Sequence, residues 1–340
     1  MLQYFDENEL KLNFSKCEYL IINGKNEDVK EPLKLRNGFL IYKSVVKYLG
    51  MKISDTGNMK FDIDLNIDSK RSSLTIKFGN FCRKNFLAPL ETKLCVLNTC
   101  VSSSITYGCE VWGSSNVPKL ESLYRQGLKT ALSIRNNVNN EIVYIETGEG
   151  PLQIKLSKQQ LSFWLSIEEI TLSKPNHYIS KLVNAAADTD YIRYYKQLQQ
   201  TFTTAEECAE SLKATFKATF ERKVRASADA DIDSRLGAYF LVNPTLVKPC
   251  YIDKMEFQRV CVTRYRTGSH NLKIEAGRTP HVPRDERYCC CNTGLQTVRH
   301  ILLECPLLIE LRERYNVVDV ENGVMNECFW VEMEHIMGVK

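Results

Sequence analysis

Cys289-Cys290-Cys291-Asn292-Thr293-Gly294, followed by His300 and then Cys305-Pro306, is the stretch of this sequence that leaves the fold least freedom. Taken from Cys289 and Cys291, the spacing reads C-x-C-x8-H-x4-C. Two close thiols, a short glycine-containing loop, and a His and a Cys about one helical turn apart suit a tetrahedral Cys3His zinc site. The expected ligands are Cys289, Cys291, His300 and Cys305, with Cys290 able to replace either neighbour. The step from His300 to Cys305 is one residue longer than i, i+4. A helix carrying both must therefore end or loosen near Glu304, and Pro306 agrees with that. Four protein ligands fill the tetrahedron and leave no position for water, which predicts a structural zinc rather than a hydrolytic one.

The wider cysteine usage sets the expected compartment. The chain carries 13 Cys in 340 residues, an odd count that argues against a small secreted disulfide framework. The opening MLQYFDENEL has neither the basic nor the apolar region of a secretory signal. No stretch approaches the roughly 18–20 uncharged apolar residues of a membrane helix. The expectation is a soluble intracellular chain, nuclear or cytoplasmic, whose other thiols are reduced and mostly buried. With 44% hydrophobic and 25% charged residues there is enough apolar material to offset the ordering entropy, so global disorder is excluded. The formal charge of +4 is too mild to identify a polyanion partner.

Periodicity predicts an α+β chain: a short antiparallel β region, then a mainly helical part, then a small zinc-binding carboxyl-terminal domain. Cys17 to Ile22 is β-rich and closes on Asn23-Gly24, and Leu33/Leu35 and Phe39/Ile41 alternate on either side of Asn37-Gly38, a hairpin signal. A further strand is expected from Val45 to Ile53, with a turn at Asp55 to Asn58. Leu90, Leu94, Leu97, Val101 and Ile105 then repeat at helical steps behind Pro89. Further helices are expected from Ser115 through Leu132, from Pro151 to Lys174, and from Ala205 to Arg225, with Trp112 and Trp164 as core. The implied organisation is 1–54, 55–175, 176–250 and 251–340.

Seven basic residues lie between Gln258 and Arg287, namely Arg259, Arg264, Arg266, Lys273, Arg278, Arg284 and Arg287, so the mild overall charge hides a local basic stripe. With Tyr265 and Tyr288 interleaved beside a zinc knuckle, the stripe suits phosphate contacts and base stacking on single strands.

Five short motifs, in order, resemble the carboxyl-terminal part of a non-LTR (LINE-type) retrotransposon reverse transcriptase. Leu10-Lys11-Leu12-Asn13-Phe14-Ser15-Lys16 is similar to the family's G-L-x-x-N-x-x-K-T, with Glu9 in place of the Gly and Cys17 in place of the Thr. Lys47-Tyr48-Leu49-Gly50-Met51 resembles the (F/Y)-L-G primer-grip turn, and Tyr107-Gly108-Cys109-Glu110-Val111-Trp112 resembles Y-G-x-E-x-W. Arg266-Thr267-Gly268-Ser269-His270 and Cys291 through Pro306 resemble the basic R-T-G-x-H and the terminal H-x-L-x-x-C-P knuckle. The stretch from about Pro175 to Pro249 matches no motif of that family.

The resemblance implies a palm edge, a helical thumb and a zinc-knuckle tail that bind RNA and DNA as template and primer. The implied nucleic-acid contacts are Tyr48, Leu49, Gly50, Arg264, Arg266, His270, Arg278 and Arg284. Lys16 takes the place of a palm lysine near the incoming nucleotide. Mg²⁺ belongs to a full-length polymerase, because two-metal phosphoryl transfer depends on carboxylates in an (F/Y)-A-D-D turn, and no such turn occurs here. Asp62 and Asp64, which would share a face on a strand, and the solvated run Asp229 to Asp233 are not expected to replace them. The chain alone is therefore expected to bind without polymerising. The competing expectation is a zinc-stapled interaction module with no nucleic-acid function.

Overall fold

The computed structural model describes residues 4, 7–9, 11–24, 30–35, 38–112, 117–185, 190–232, 234–251 and 253–339. It is a mixed α and β structure, about 63% helical, with two small sheets near the amino-terminal end. Among the described residues no helix is long and apolar enough to cross a membrane.

In the first sheet β3 (Gly38–Tyr42) lies between β1 (Glu18–Tyr19), which runs parallel to it, and β2 (Leu33–Leu35), which runs antiparallel. The β2–β3 hairpin expected around Asn37-Gly38 forms, but Leu35 pairs with Gly38, so its loop is 36–37, outside the described residues. Gly38 is thus a strand residue without positive φ. What it supplies is room, since a Cβ there would lie 2.3 Å from the Phe14 ring.

The single strand expected from Val45 to Ile53 is instead a second hairpin. β4 (Val45–Tyr48) folds back on β5 (Met51–Ser54), pairing Tyr48 with Met51. Leu49 and Gly50 make the turn at φ +46° and +86°, the two positive values a tight hairpin of this hand requires. Unbroken hydrophobic patterning across the turn hid the reversal, because Leu is rare at positive φ.

A helix missed in the sequence follows directly. In α1 (Met59–Lys84) Asn58 caps the first turn, accepting from the Phe61 N–H. Asp62 accepts from Ser54 N–H at 2.9 Å, and Asn66 pairs with both N–H and C=O of Lys52 at 2.8 and 2.9 Å. Standing one turn apart, Asp62 and Asn66 face the same way and fasten α1 to the open edge of β5. Asp62 and Asp64 therefore lie on a helix rather than a strand, and Asp64 pairs with Lys119.

The expected apolar stripe is buried throughout: Leu90, Leu94, Leu97, Val101 and Ile105 are each at most 5% exposed. They lie along α2 (Leu90–Val96), which continues through a π-helical turn, Leu97–Ser102, into Ser103–Thr106. With α1, α3 (Val117–Leu132) and α4 (Asn140–Thr147) they form the first apolar core. The α3 start expected at Ser115-Asn116 falls outside the described residues, and so does the side chain of Trp112. The helix expected from Pro151 to Lys174 is α5 (Leu152–Ser173), capped by those two residues. Against it pack α6 (Tyr178–Ala185) and α7 (Asp190–Thr201), with Trp164 stacked on Tyr195 at 4.9 Å in a separate small core. The next helix, α8 (Ala205–Ala230), runs five residues past its expected end at Arg225.

The carboxyl-terminal core is built from α8, α9 (Arg235–Val242), α10 (Glu256–Thr267) and α11 (Glu327–Met337), with the loops and short helices between the last two. It reaches back to Ile142 on α4. Its centre is a buried carboxylate. Glu146 on α4 is fully buried and accepts from Arg266 Nη2 at 2.9 Å, Tyr239 Oη at 2.9 Å and Tyr251 Oη at 2.8 Å. A second buried group lies at the other end of α10, where Glu256 pairs with Lys93 of α2 and Arg259.

Removing one partner of a buried pair strands the other charge in a low-dielectric interior. Glu146→Gln should therefore lower stability by about 3–5 kcal/mol. Arg284→Ala, at a pair whose side chains are 47% and 40% exposed, should cost about 1 kcal/mol or less. Urea unfolding of both variants checks the contrast, and similar midpoints would refute it.

Candidate metal centre

The site begins with a loop that doubles back. Tyr288 and Leu295 bridge antiparallel, Cys289 N–H donates to Gly294 C=O at 2.8 Å, and Asn292 N–H donates to Cys289 C=O at 3.0 Å. Asn292 turns the chain at φ +60°. The reversal points Cys289 and Cys291 to one side and leaves Cys290 exposed, so the choice left open in the sequence falls to Cys289. Arg287 steadies the loop by donating to the carbonyls of Ile274 and Val282.

The second half is a short helical segment whose entry is capped by Thr297, which accepts from His300 N–H at 3.1 Å. From His300 to Glu304 the turn is π-helical, and Cys305 N–H donates to His300 C=O at 2.7 Å. That wider turn brings a five-residue step closer to one revolution than an α turn would, and Cys305 then leaves in extended conformation before Pro306. The loosening expected near Glu304 is thus the device that brings His300 and Cys305 to one face. Arg312 satisfies the carbonyls the turn exposes, donating to Cys305 C=O at 2.7 Å.

The ligand atoms of Cys289, Cys291, His300 and Cys305 all lie within 4.8 Å of one another, and these four residues can hold a metal ion. Cys289, His300 and Cys305 are at most 3% exposed. Cys289 Sγ lies 3.8 Å from Cys305 Sγ, and Cys291 Sγ lies 3.2 Å from His300 Nε2. Burial pushes the Cys289 and Cys305 thiols up. Burial acts in the same direction on Cys291, but hydrogen bonds from Thr293, Cys289 and His300 outweigh it and bring the thiol down to about 6. Two neighbours were not singled out from the sequence. Thr293 Oγ1 sits 3.0 Å from Cys291 Sγ, and Glu304 Oε2 sits 3.5 Å from His300 Nδ1. The second stands where an outer carboxylate would orient the imidazole if it bound a metal, and its i, i+4 spacing from His300 was its only trace in the sequence.

The expected nucleic-acid residues divide. Arg266 is spent inside the protein on Glu146, and His270 is buried against Tyr265, so the surface roles expected of both are corrected. Burial, with Arg135 and Arg278 nearby, pushes His270 down to about 3. Tyr265, expected as a stacking platform, is itself stacked on Trp330 at 3.7 Å. Arg278 pairs with Glu275 and Arg284 with Asp231. Arg264 is exposed, as is Tyr288. At the other end, Tyr48 and Leu49 are exposed at the β4–β5 turn, where Leu49 C=O accepts from Tyr107 Oη at 2.7 Å, so two of the resembling motifs touch. Lys16 is exposed on a 3-10 turn, Phe14–Lys16.

In the unfolded chain His270 takes up a proton near the ordinary value of about 6.5, whereas the folded protein holds it neutral down to about 3. Between those values the unfolded state binds more protons, so this contribution is whole above about pH 6.5 and shrinks as pH falls. Wild type should lose up to ~1.4 kcal/mol per pH unit more than His270→Phe across that window. Urea midpoints from pH 7 to 4 test this, with the titration of the metal ligands common to both proteins. Parallel curves would refute it.

Comparison with models of protein families, with curated proteins and with solved structures returns no match.

Proposed function

We propose that Cys289, Cys291, His300 and Cys305 form a structural zinc site, and that the chain binds nucleic acid as the thumb and tail of a polymerase resembling non-LTR retrotransposon reverse transcriptases. The convergence of the four ligand atoms within 4.8 Å carries the zinc half of this reading, and the ordered motifs of the sequence support the nucleic-acid half. A tetrahedral zinc with Zn–S near 2.3 Å separates two thiolates by about 3.8 Å. The distance between Cys289 and Cys305 sulfurs is 3.8 Å. The soft donor set favours zinc over the hard cations, and Glu304 supplies the outer shell. Zinc there would tie the 289–294 loop to the helix and core that follow, coupling metal to folding of this end of the chain. No catalytic step is assigned to the chain by itself, since the (F/Y)-A-D-D carboxylates are missing from its sequence.

One observation favours a second reading. Arg259, Arg266, Arg278 and Arg284 are each paired with a carboxylate, which suits a zinc-stapled protein-interaction module.

Purified protein should contain about one zinc per chain, lost together with stability in Cys291→Ser and His300→Ala. A folded, metal-free protein would remove the zinc reading. RNA and DNA should bind at low salt and dissociate steeply as salt rises, because each neutralised phosphate releases counterion. No affinity for either at low salt would favour the interaction module. Primer extension on an RNA template with Mg²⁺ should give no product, and robust incorporation by this chain would overturn the non-catalytic assignment.

A further inference from the structure

Helix α10 sorts the basic stripe by face. Glu256, Arg259 and Arg266 turn into the core, while Phe257, Val260, Cys261 and Arg264 follow the i, i+3, i+4, i+7 steps of the opposite face. That second stripe forms one wall of a groove of about 640 Å³, whose other walls include Phe86, the Ser133–Arg135 loop and α11.

Two arginines, Arg135 and Arg264, stand on this groove. Among the described residues no carboxylate forms an ion pair with Arg135 or Arg264, although Arg259, Arg266, Arg278 and Arg284 all have one. Arg264 is held at the rim by a bond from Nε to Ser133 C=O at 3.4 Å, and Arg135 by bonds to His270 C=O at 3.2 Å and the Asn271 side chain. Each guanidinium has five N–H donors, so these contacts fix position and leave donors for a ligand. Among the described residues the one acidic side chain lining the groove, Glu334, accepts from Tyr265 Oη at 2.5 Å. Phe86 and Phe257 line the same groove with 41% and 50% of their surface exposed.

We infer that this groove, framed by Arg135 and Arg264 and walled by Phe86 and Phe257, is a binding channel for single-stranded nucleic acid. The inference rests on the nucleic-acid reading above and gives it a location. Guanidinium groups bind phosphates through charge-assisted hydrogen bonds, and half-exposed phenyl rings offer faces to unstacked bases. A duplex keeps its bases stacked on one another and presents none to those rings, so the channel selects single strands.

Fluorescence anisotropy of the full, zinc-loaded chain tests it, using labelled 20-nucleotide oligo-dT and oligo-U, a 20-base-pair duplex, and a poly-glutamate peptide. Wild type should prefer the single strands. The double variant Arg135→Ala/Arg264→Ala should weaken their binding about tenfold or more and flatten the slope of log K against log salt by about 1.4, or ~0.7 per lost phosphate contact. Phe257→Ala should weaken binding about fivefold with the salt slope unchanged, because stacking releases no counterion. Lys217→Ala, exposed on α8, should bind as wild type does. Unchanged zinc content and urea midpoint show that the variants fold, and Arg264→Glu provides a second, surface-only lesion. If wild type binds single strands and the groove variants bind equally well, the channel assignment falls while nucleic-acid binding stands. If wild type binds no nucleic acid at low salt, both fall. Tighter binding of poly-glutamate than of either oligonucleotide, lost in the double arginine variant, would make the groove a peptide site and overturn the inference.

Discussion

A fully buried carboxylate is tolerable only where its partners are guaranteed, and at Glu146 they come from three separate stretches of chain. Arg266 arrives from α10, Tyr239 from α9 and Tyr251 from the segment between them. Each brings a donor that would be costly to leave unmade, so the four elements have one mutually acceptable arrangement. Glu146 itself stands on α4, whose Val143 and Tyr144 belong to the first core and whose Ile142 belongs to the carboxyl-terminal one. The ion pair therefore sets how the helical body and the carboxyl-terminal end meet.

The orientation of α10 follows from it. With Arg266 inward at one end and Glu256 held by Lys93 and Arg259 at the other, the helix cannot roll. Tyr265 is then laid on Trp330, fixing α11, while Phe257 and Arg264 are turned toward solvent. The metal cluster depends on the same core, because Cys289 and Cys305 are buried among its members. A metal held by these four residues would restrain the same unit as the packing: it would tie the 289–294 loop to the turn that follows, while the apolar contacts join both to the carboxyl-terminal core.

Local signals were the legible ones. The stripe from Leu90 to Ile105 and the bounds of α5 at Pro151 and Lys174 follow from side-chain spacing and proline, which act within a few residues. The cluster of His300 and Cys305 was readable down to the loosening of its helix, since a five-residue step cannot close an ordinary α turn. What failed was non-local or masked by composition. The Leu49-Gly50 reversal lay inside a continuous β-like run, α1 lay under an apolar pattern without a clear face, and α10 was read as charge rather than helix. The use of Asp62, capping the edge of β5 at Ser54, is illegible from spacing alone, because it depends on a long-range contact between a helix and a strand.

By itself the sequence determined which residues are able to hold a soft metal, which segments coil into apolar-faced helices, and the order of motifs along the chain. Those properties reside in residue type and short spacing, and no tertiary contact is needed to express them. The tertiary structure decided where each charge goes. Arg264 and Arg266 are two residues apart in the same basic stripe, yet one faces solvent and the other is buried on Glu146. A helix separates such neighbours by about 200°, and only the position of Glu146, brought close by folding across 120 residues, selects which of them turns inward.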